Sequence, residues 1–163
     1  MKRLILIRHA KSDWADPALK DFDRPLNARG LRDAPKMSER LVIAHKSIDA
    51  IISSPAQRAK STAAFFANVY LDKKLKVQFE PRIYDASIFQ LFGIVTELDS
   101  ELDTVILVGH NPGFSELTTY LCGVHIQMPT CAVAELVFEV DDWKLISANS
   151  GRLVGFDYPK KEI

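Results

Sequence analysis

Apolar and polar positions fall into two kinds of block along this chain. Three short unbroken apolar runs stand out: Leu4-Ile5-Leu6-Ile7, Ala50-Ile51-Ile52 and Val105-Ile106-Leu107-Val108-Gly109. Their length suits strands buried on both faces better than helices. Between them, apolar residues recur every three or four positions. Leu31, Ala34, Met37, Leu41 and Ala44 do so over residues 30–44, and Ala63, Phe66, Ala67 and Tyr70 over residues 57–70. Both patterns predict helices. The first helix is expected to start near residue 30, and Pro35, tolerated only near a first turn, leaves room for a later start. A strand at 77–79, a helix over 88–98, a strand at 104–109 and a helix over 115–121 continue the alternation. The tail differs. Residues 132–140 and 143–148 read as two strands around Asp141-Asp142, a hairpin signal.

Strand–helix alternation implies a mostly parallel sheet covered by helices on both faces, and the hairpin adds an antiparallel C-terminal edge. No linker, repeat or low-complexity segment interrupts the pattern, so residues 1–163 are expected to form one domain. With 163 residues and 47% hydrophobic content, the chain can bury a substantial core. Its 21 basic and 21 acidic side chains cancel. That balance argues against nucleic acid or an anionic membrane as partner, but allows a local cationic pocket. No apolar stretch approaches the ~20 residues of a membrane span. Met1-Lys2-Arg3 is followed by a run too short for a signal peptide, so a cytoplasmic location is expected. Cys122 and Cys131 lack the spacing of a zinc site and read as ordinary buried thiols. Oligomeric state is not legible; a monomer is the default.

The chemistry sits where strands end. Arg8-His9 closes the first apolar run, and His110 closes Val105 to Gly109. Arg58 follows the run at Ala50 through Ser53-Ser54-Pro55. The carboxyl ends of strands are where open α/β sheets bind ligands. Two imidazoles and two guanidinium groups delivered there would form a cationic cup for a phosphoryl group. Arginine grips phosphate oxygens with a two-pronged fork, and Ser12 and Ser54 add neutral donors. A histidine nucleophile must be neutral on its attacking nitrogen, with the other nitrogen protonated and held by a backbone carbonyl. The second histidine, protonated, would donate to charge building on the transferring oxygens.

Four blocks carry a resemblance. Arg8-His9-Ala10-Lys11-Ser12-Asp13-Trp14 resembles the R-H-G-E-S-x-W signature of the histidine phosphatase superfamily, which includes the phosphoglycerate mutases. The stretch Asp23-Arg24-Pro25-Leu26-Asn27-Ala28-Arg29-Gly30 resembles its connecting D-x-P-L-T-x-x-G. Ser53-Ser54-Pro55-Ala56-Gln57-Arg58-Ala59 resembles the block built on S-x-x-x-R-A, and Val108-Gly109-His110-Asn111-Pro112 the V-G-H-x block. They stand in the family's order, and the compact length and Val-Gly-His-Asn-Pro wording are most similar to the SixA branch of phosphohistidine phosphatases. The resemblance implies a three-layer α/β/α sandwich and a phosphatase without cofactor or metal. It implies His9 as the nucleophile that becomes phosphorylated, with Arg8, Arg58 and His110 binding the phosphoryl group. Asn111 would orient His110 or offer its backbone N–H. The implied partner is a phosphorylated histidine-containing protein or a small phosphorylated molecule.

Departures from the pattern bear on the substrate. Ala10 replaces the glycine of R-H-G, and Ala15 stands where an asparagine follows the tryptophan. The mutase-like E-R-x-Y-G falls on Pro81-Arg82-Ile83-Tyr84-Asp85, so Pro81 takes the place of the proton-donating glutamate. Asp85 is the candidate substitute acid, and Glu80 lies nearby. An alkoxide leaving group needs a proton from such an acid, whereas imidazole, titrating near ~6.5, leaves more readily. Only residues 80–103 separate the third strand from the fourth, too few for a long lid. Both features favour a phosphoramidate presented by another protein. The rivals are a small-molecule phosphomonoesterase, a non-catalytic binder of phosphoproteins, and a metal hydrolase using His9 and His110 as ligands.

Overall fold

The computed structural model describes residues 1–70 and 75–162. Its strands are β1 (Lys2–Arg8), β2 (Ala50–Ser53), β3 (Val77–Phe79), β4 (Thr104–Gly109), β5 (Val133–Phe138) and β6 (Gly151–Asp157). Its α-helices are α1 (Ala28–Ala44), α2 (Gln57–Asn68), α3 (Ile88–Thr96) and α4 (Gly113–Cys122). The sheet order is β3-β2-β4-β1-β5-β6. The four strands β1 to β4 run parallel, while β5 is antiparallel to β1 and β6 to β5.

Each apolar run is buried because its side chains alternate between two filled layers. Leu4 and Leu6 face one core with Val105, Leu107, Phe114 and Leu117, which α3 and α4 cover. Ile5 and Ile7 face the other with Ile51, Ile106, Ala63 and Phe66, which α1 and α2 cover. The architecture is the three-layer α/β/α sandwich expected. Among the described residues, no helix is long and apolar enough to cross a membrane.

Two expectations need correction. α1 starts at Ala28, close to the expected residue 30, but carries Pro35 in its interior instead of near a first turn. The Asn27 side chain caps it by accepting from the Gly30 N–H at 2.9 Å. Proline removes the amide that would bond to the Leu31 carbonyl, and Leu31 is 53% exposed, so water can serve that group. The second correction is larger. Residues 143–148 are not a strand: Trp143–Leu145 is a single 3₁₀ turn capped by Asp142. Trp143 and Ile146 are buried and Leu145 is exposed, a spacing of three rather than two. The Trp143 indole is fully buried and donates to the Leu102 carbonyl at 2.7 Å. This apolar group plugs the core beside α3, and the strand that pairs with β5 lies later, in β6. The two glycines of β6, Gly151 and Gly155, weaken its strand signal.

β4 enters the slot between β1 and β2, although it follows both in sequence. Strand order therefore reverses there, and the carboxyl ends of β1, β4 and β2 border one crevice.

Candidate active site

Register builds the site. Arg8 pairs with Gly109 across β1 and β4, and the His9 N–H donates to the Gly109 carbonyl at 2.9 Å. His9 and His110 therefore leave adjacent strands side by side, with ring centroids 5.2 Å apart. On the other flank of β4, the Ser54 N–H donates to the Val108 carbonyl at 3.0 Å. That contact sets the Ser54 hydroxyl 2.7 Å from His110 Nε2. From the second residue of α2, Arg58 reaches back, its Nε–H 3.4 Å from His9 Nε2.

His9 is held ready to attack. Its Nδ1 lies 2.7 Å from the Ala10 carbonyl, an acceptor only, so Nδ1 carries the proton and Nε2 keeps its lone pair. Burial pushes its pKa down to about 3, opposed by the Ala10 bond and reinforced by His110, Arg58 and Arg8. The imidazole is thus neutral at neutral pH. Ala10 causes no strain, since its φ lies outside the left-handed region. Its N–H donates to Thr62 Oγ1, and that hydroxyl donates to the Arg58 carbonyl, which ties the His9 loop to α2. Gly30 is required beside it, because a Cβ there would come within 2.3 Å of the Lys11 carbonyl oxygen.

Burial, then Arg58, push the His110 pKa down to about 4, partly offset by Asp21. The Ser54 hydroxyl accepts from the Ala56 N–H at 3.2 Å and shares a hydrogen bond with His110 Nε2. His110 Nδ1 and Arg8 Nε are both buried without a hydrogen-bond partner among the described residues. Arg8 is fixed at its other end by donating from Nη1 to the Met128 carbonyl at 2.9 Å.

Other expected residues do different work. The Asn111 amide also donates to the Met128 carbonyl (2.8 Å), and its oxygen accepts from the Ser115 N–H and hydroxyl. Its side chain staples α4 to the loop ahead of β5 and is not free for a phosphoryl group. Ser12 is buried in an antiparallel bridge to Leu26, and among the described residues no side-chain bond joins it to the cluster. Asp85 is exposed at a left-handed turn, φ 56°. Glu80 is not free either, since both its oxygens accept from Arg82, which also holds Glu97. Cys131 lies behind the nucleophile, where its N–H donates to the His9 carbonyl; burial, then Asp33, push its thiol up to about 12.

Two residues were missed from sequence, Asp21 and Tyr84. The Asp21 carbonyl and Oδ2 accept from Arg58 Nη1 and Nη2 at 2.7 and 3.0 Å, and Oδ2 also accepts from the Tyr84 hydroxyl at 2.6 Å. Tyr84 meets His110 and Phe22 edge-on, with centroids 5.5 and 5.1 Å apart. The available signal was the long polar connection over residues 9–27, since such loops in compact domains tend to be functional.

Comparison with known proteins shows the family and the fold. The sequence profile of the histidine phosphatase superfamily (branch 1) matches residues 4–102. The chain belongs to that family. Its chemistry is that of a histidine-nucleophile phosphatase. An uncharacterized chloroplastic protein of Arabidopsis thaliana is 33% identical over 158 residues, covering 92% of this chain and 72% of that one. Among solved structures, the proposed phosphohistidine phosphatase SixA of Agrobacterium tumefaciens superposes with a TM-score of 0.81 at 25% identity. It covers 97% of this histidine phosphatase and 98% of its own chain. The protein histidine phosphatase SixA complexed with tungstate shares the fold, at a TM-score of 0.78 and 19% identity, over 96% and 97% of the two chains.

Proposed function

We propose that this histidine phosphatase removes the phosphoryl group from a phosphorylated histidine on a cytoplasmic signalling protein, through a phospho-His9 intermediate. The observation that carries the reading is the paired state of His9, with Nδ1–H on the Ala10 carbonyl and Nε2 turned toward Arg58. In the first step, the Nε2 lone pair attacks phosphorus, the P–N bond of the substrate breaks, and its electron pair stays on the departing ring. In the second, water attacks phospho-His9, its proton goes to the phosphate released, and the P–N bond electrons return to Nε2. Arg58, Arg8 and His110 hold the phosphoryl oxygens. The unpaired Arg8 Nε is a donor that such an anion would satisfy, and the unpaired His110 Nδ1 becomes a second when it carries the proton. Ser54 orients the His110 ring through Nε2.

The substrate class follows from the leaving group. The position aligned with the family's glutamate is Pro81, and Glu80 is committed to Arg82. Asp21, the carboxylate bonded to Arg58, is held below the usual carboxylate range by the Tyr84 hydroxyl first and by Arg58. It therefore stays ionised and is a poor proton donor. A departing imidazole needs no such donor. The SixA structure of 25% identity supports the same reading. The test is to incubate the enzyme with a phosphorylated histidine domain, quench, and map acid-labile phosphate, beside turnover of a panel of phosphate esters. Label on His9 and preference for the phosphohistidine protein are expected. Turnover without label on His9, or faster turnover of esters, would overturn the proposal.

A further inference from the structure

The cationic cup is closed on its open side by an anion. Asp21 comes from the 3₁₀ segment Asp21–Asp23, its side chain 48% exposed, while His9 and Arg58 are buried. Its carboxylate thus lies on the more exposed side of Arg58, the side open to an entering substrate. Arg58 and Tyr84 both bind Oδ2, and among the described residues no hydrogen bond reaches Oδ1. The position is pinned from two directions, by α2 through Arg58 and by the turn after Pro81–Ile83 through Tyr84. Phe22, packed edge-on against Tyr84, braces the same segment. The result is a fixed acceptor oxygen at the exit of the cup.

We propose that Asp21 selects the leaving group, its Oδ1 accepting the ring N–H of a departing imidazole. The inference rests on the phosphohistidine reading and names the residue that discriminates within it. The step balances without proton transfer. The ring enters with a proton on the nitrogen that does not bear phosphorus. His9 Nε2 attacks, the P–N bond breaks, and the ring leaves as neutral imidazole with that proton still attached and bonded to Asp21. An ester presents the opposite case. Its departing oxygen gains negative charge and has no proton to offer, so a carboxylate beside it is repulsive. Asp21 therefore widens the gap between P–N and P–O substrates without acting as an acid.

A purely structural Asp21, one that only positions Arg58, makes a different prediction. Arg58 grips the phosphoryl group common to both substrates, so its misplacement slows both alike. The test compares kcat/KM for phosphoimidazole and p-nitrophenyl phosphate in the wild type, Asp21→Asn and Asp21→Ala, with thermal unfolding to verify that each variant folds. The ratio of phosphoimidazole to ester is expected to fall about tenfold in both variants, the worth of one charge-assisted hydrogen bond. An unchanged ratio in folded variants would overturn the inference, even with both rates reduced. Failure of the parent reading looks different: the wild type itself would turn over esters faster than the phosphohistidine protein.

Discussion

The parallel half of the sheet and its antiparallel edge meet at the same site but contribute to it differently. β1, β4 and β2 run the same way, so their carboxyl ends gather at one rim and deliver His9, His110, Ser54 and, through α2, Arg58. β5 runs the opposite way and brings its beginning to that rim. The loop leading into it offers backbone there. The Met128 carbonyl accepts from Arg8 and Asn111, the Ala132 carbonyl accepts from the Arg8 N–H, and the Cys131 N–H donates to the His9 carbonyl. Parallel strands thus concentrate side chains at a point, while the antiparallel edge supplies a rigid wall behind them. The edge has its own anchor in Trp143, far along the chain from the chemistry.

Substitutions in the two regions should separate turnover from stability. His9→Ala should reduce phosphate release from a phosphorylated histidine domain at least about 10³-fold, since no other lone pair stands at that position. Arg58→Ala should lower kcat/KM by about 10² to 10³, the effect of removing one preorganised donor, and lysine should restore little because it lacks the fork. Trp143→Ala should instead lower unfolding free energy in urea by about 3–5 kcal/mol, leaving kcat/KM of the folded protein near the wild-type value. A large turnover loss from Trp143→Ala in fully folded protein would break the contrast.

The parallel half should also carry a pH signature. His9 and His110 are pushed down to about 3 and about 4, whereas an unfolded histidine titrates near ~6.5. Below that pH the unfolded chain binds protons that the folded one does not. Stability should therefore rise with pH from about 4 to about 6.5, by up to ~1.4 kcal/mol per pH unit for each histidine. Urea midpoints across that window, compared with those of His110→Asn, measure it; an unchanged slope in the variant would sink the assignment. The smallest effect belongs to Asp85→Asn, exposed and outside the cluster. Less than about twofold change in phosphohistidine turnover is expected.

Most of the parallel half was legible because buried strands and amphipathic helices have distinct periods, and the strand ends carried charged residues out of an apolar context. The tail was misread because Trp143, Leu145 and Ile146 look like a strand until one knows that a single indole fills a hole beside α3. Pro35 suggested a first turn, yet it lies inside α1, four residues after the exposed Leu31. Asn111 looked available to a ligand, whereas its side chain bonds Met128 through the amide nitrogen and Ser115 through the oxygen.

What the amino-acid order determined alone was the inventory of groups and the strand ends that bear them, since local periodicity and short spacing are encoded within a few neighbouring residues. Only folding decided which nitrogen of His9 is free, that Glu80 is occupied, and that Asp21 holds the end of Arg58 turned away from His9. Those outcomes depend on hydrogen bonds between residues dozens of positions apart, and on the dielectric that burial creates. No local pattern records either one.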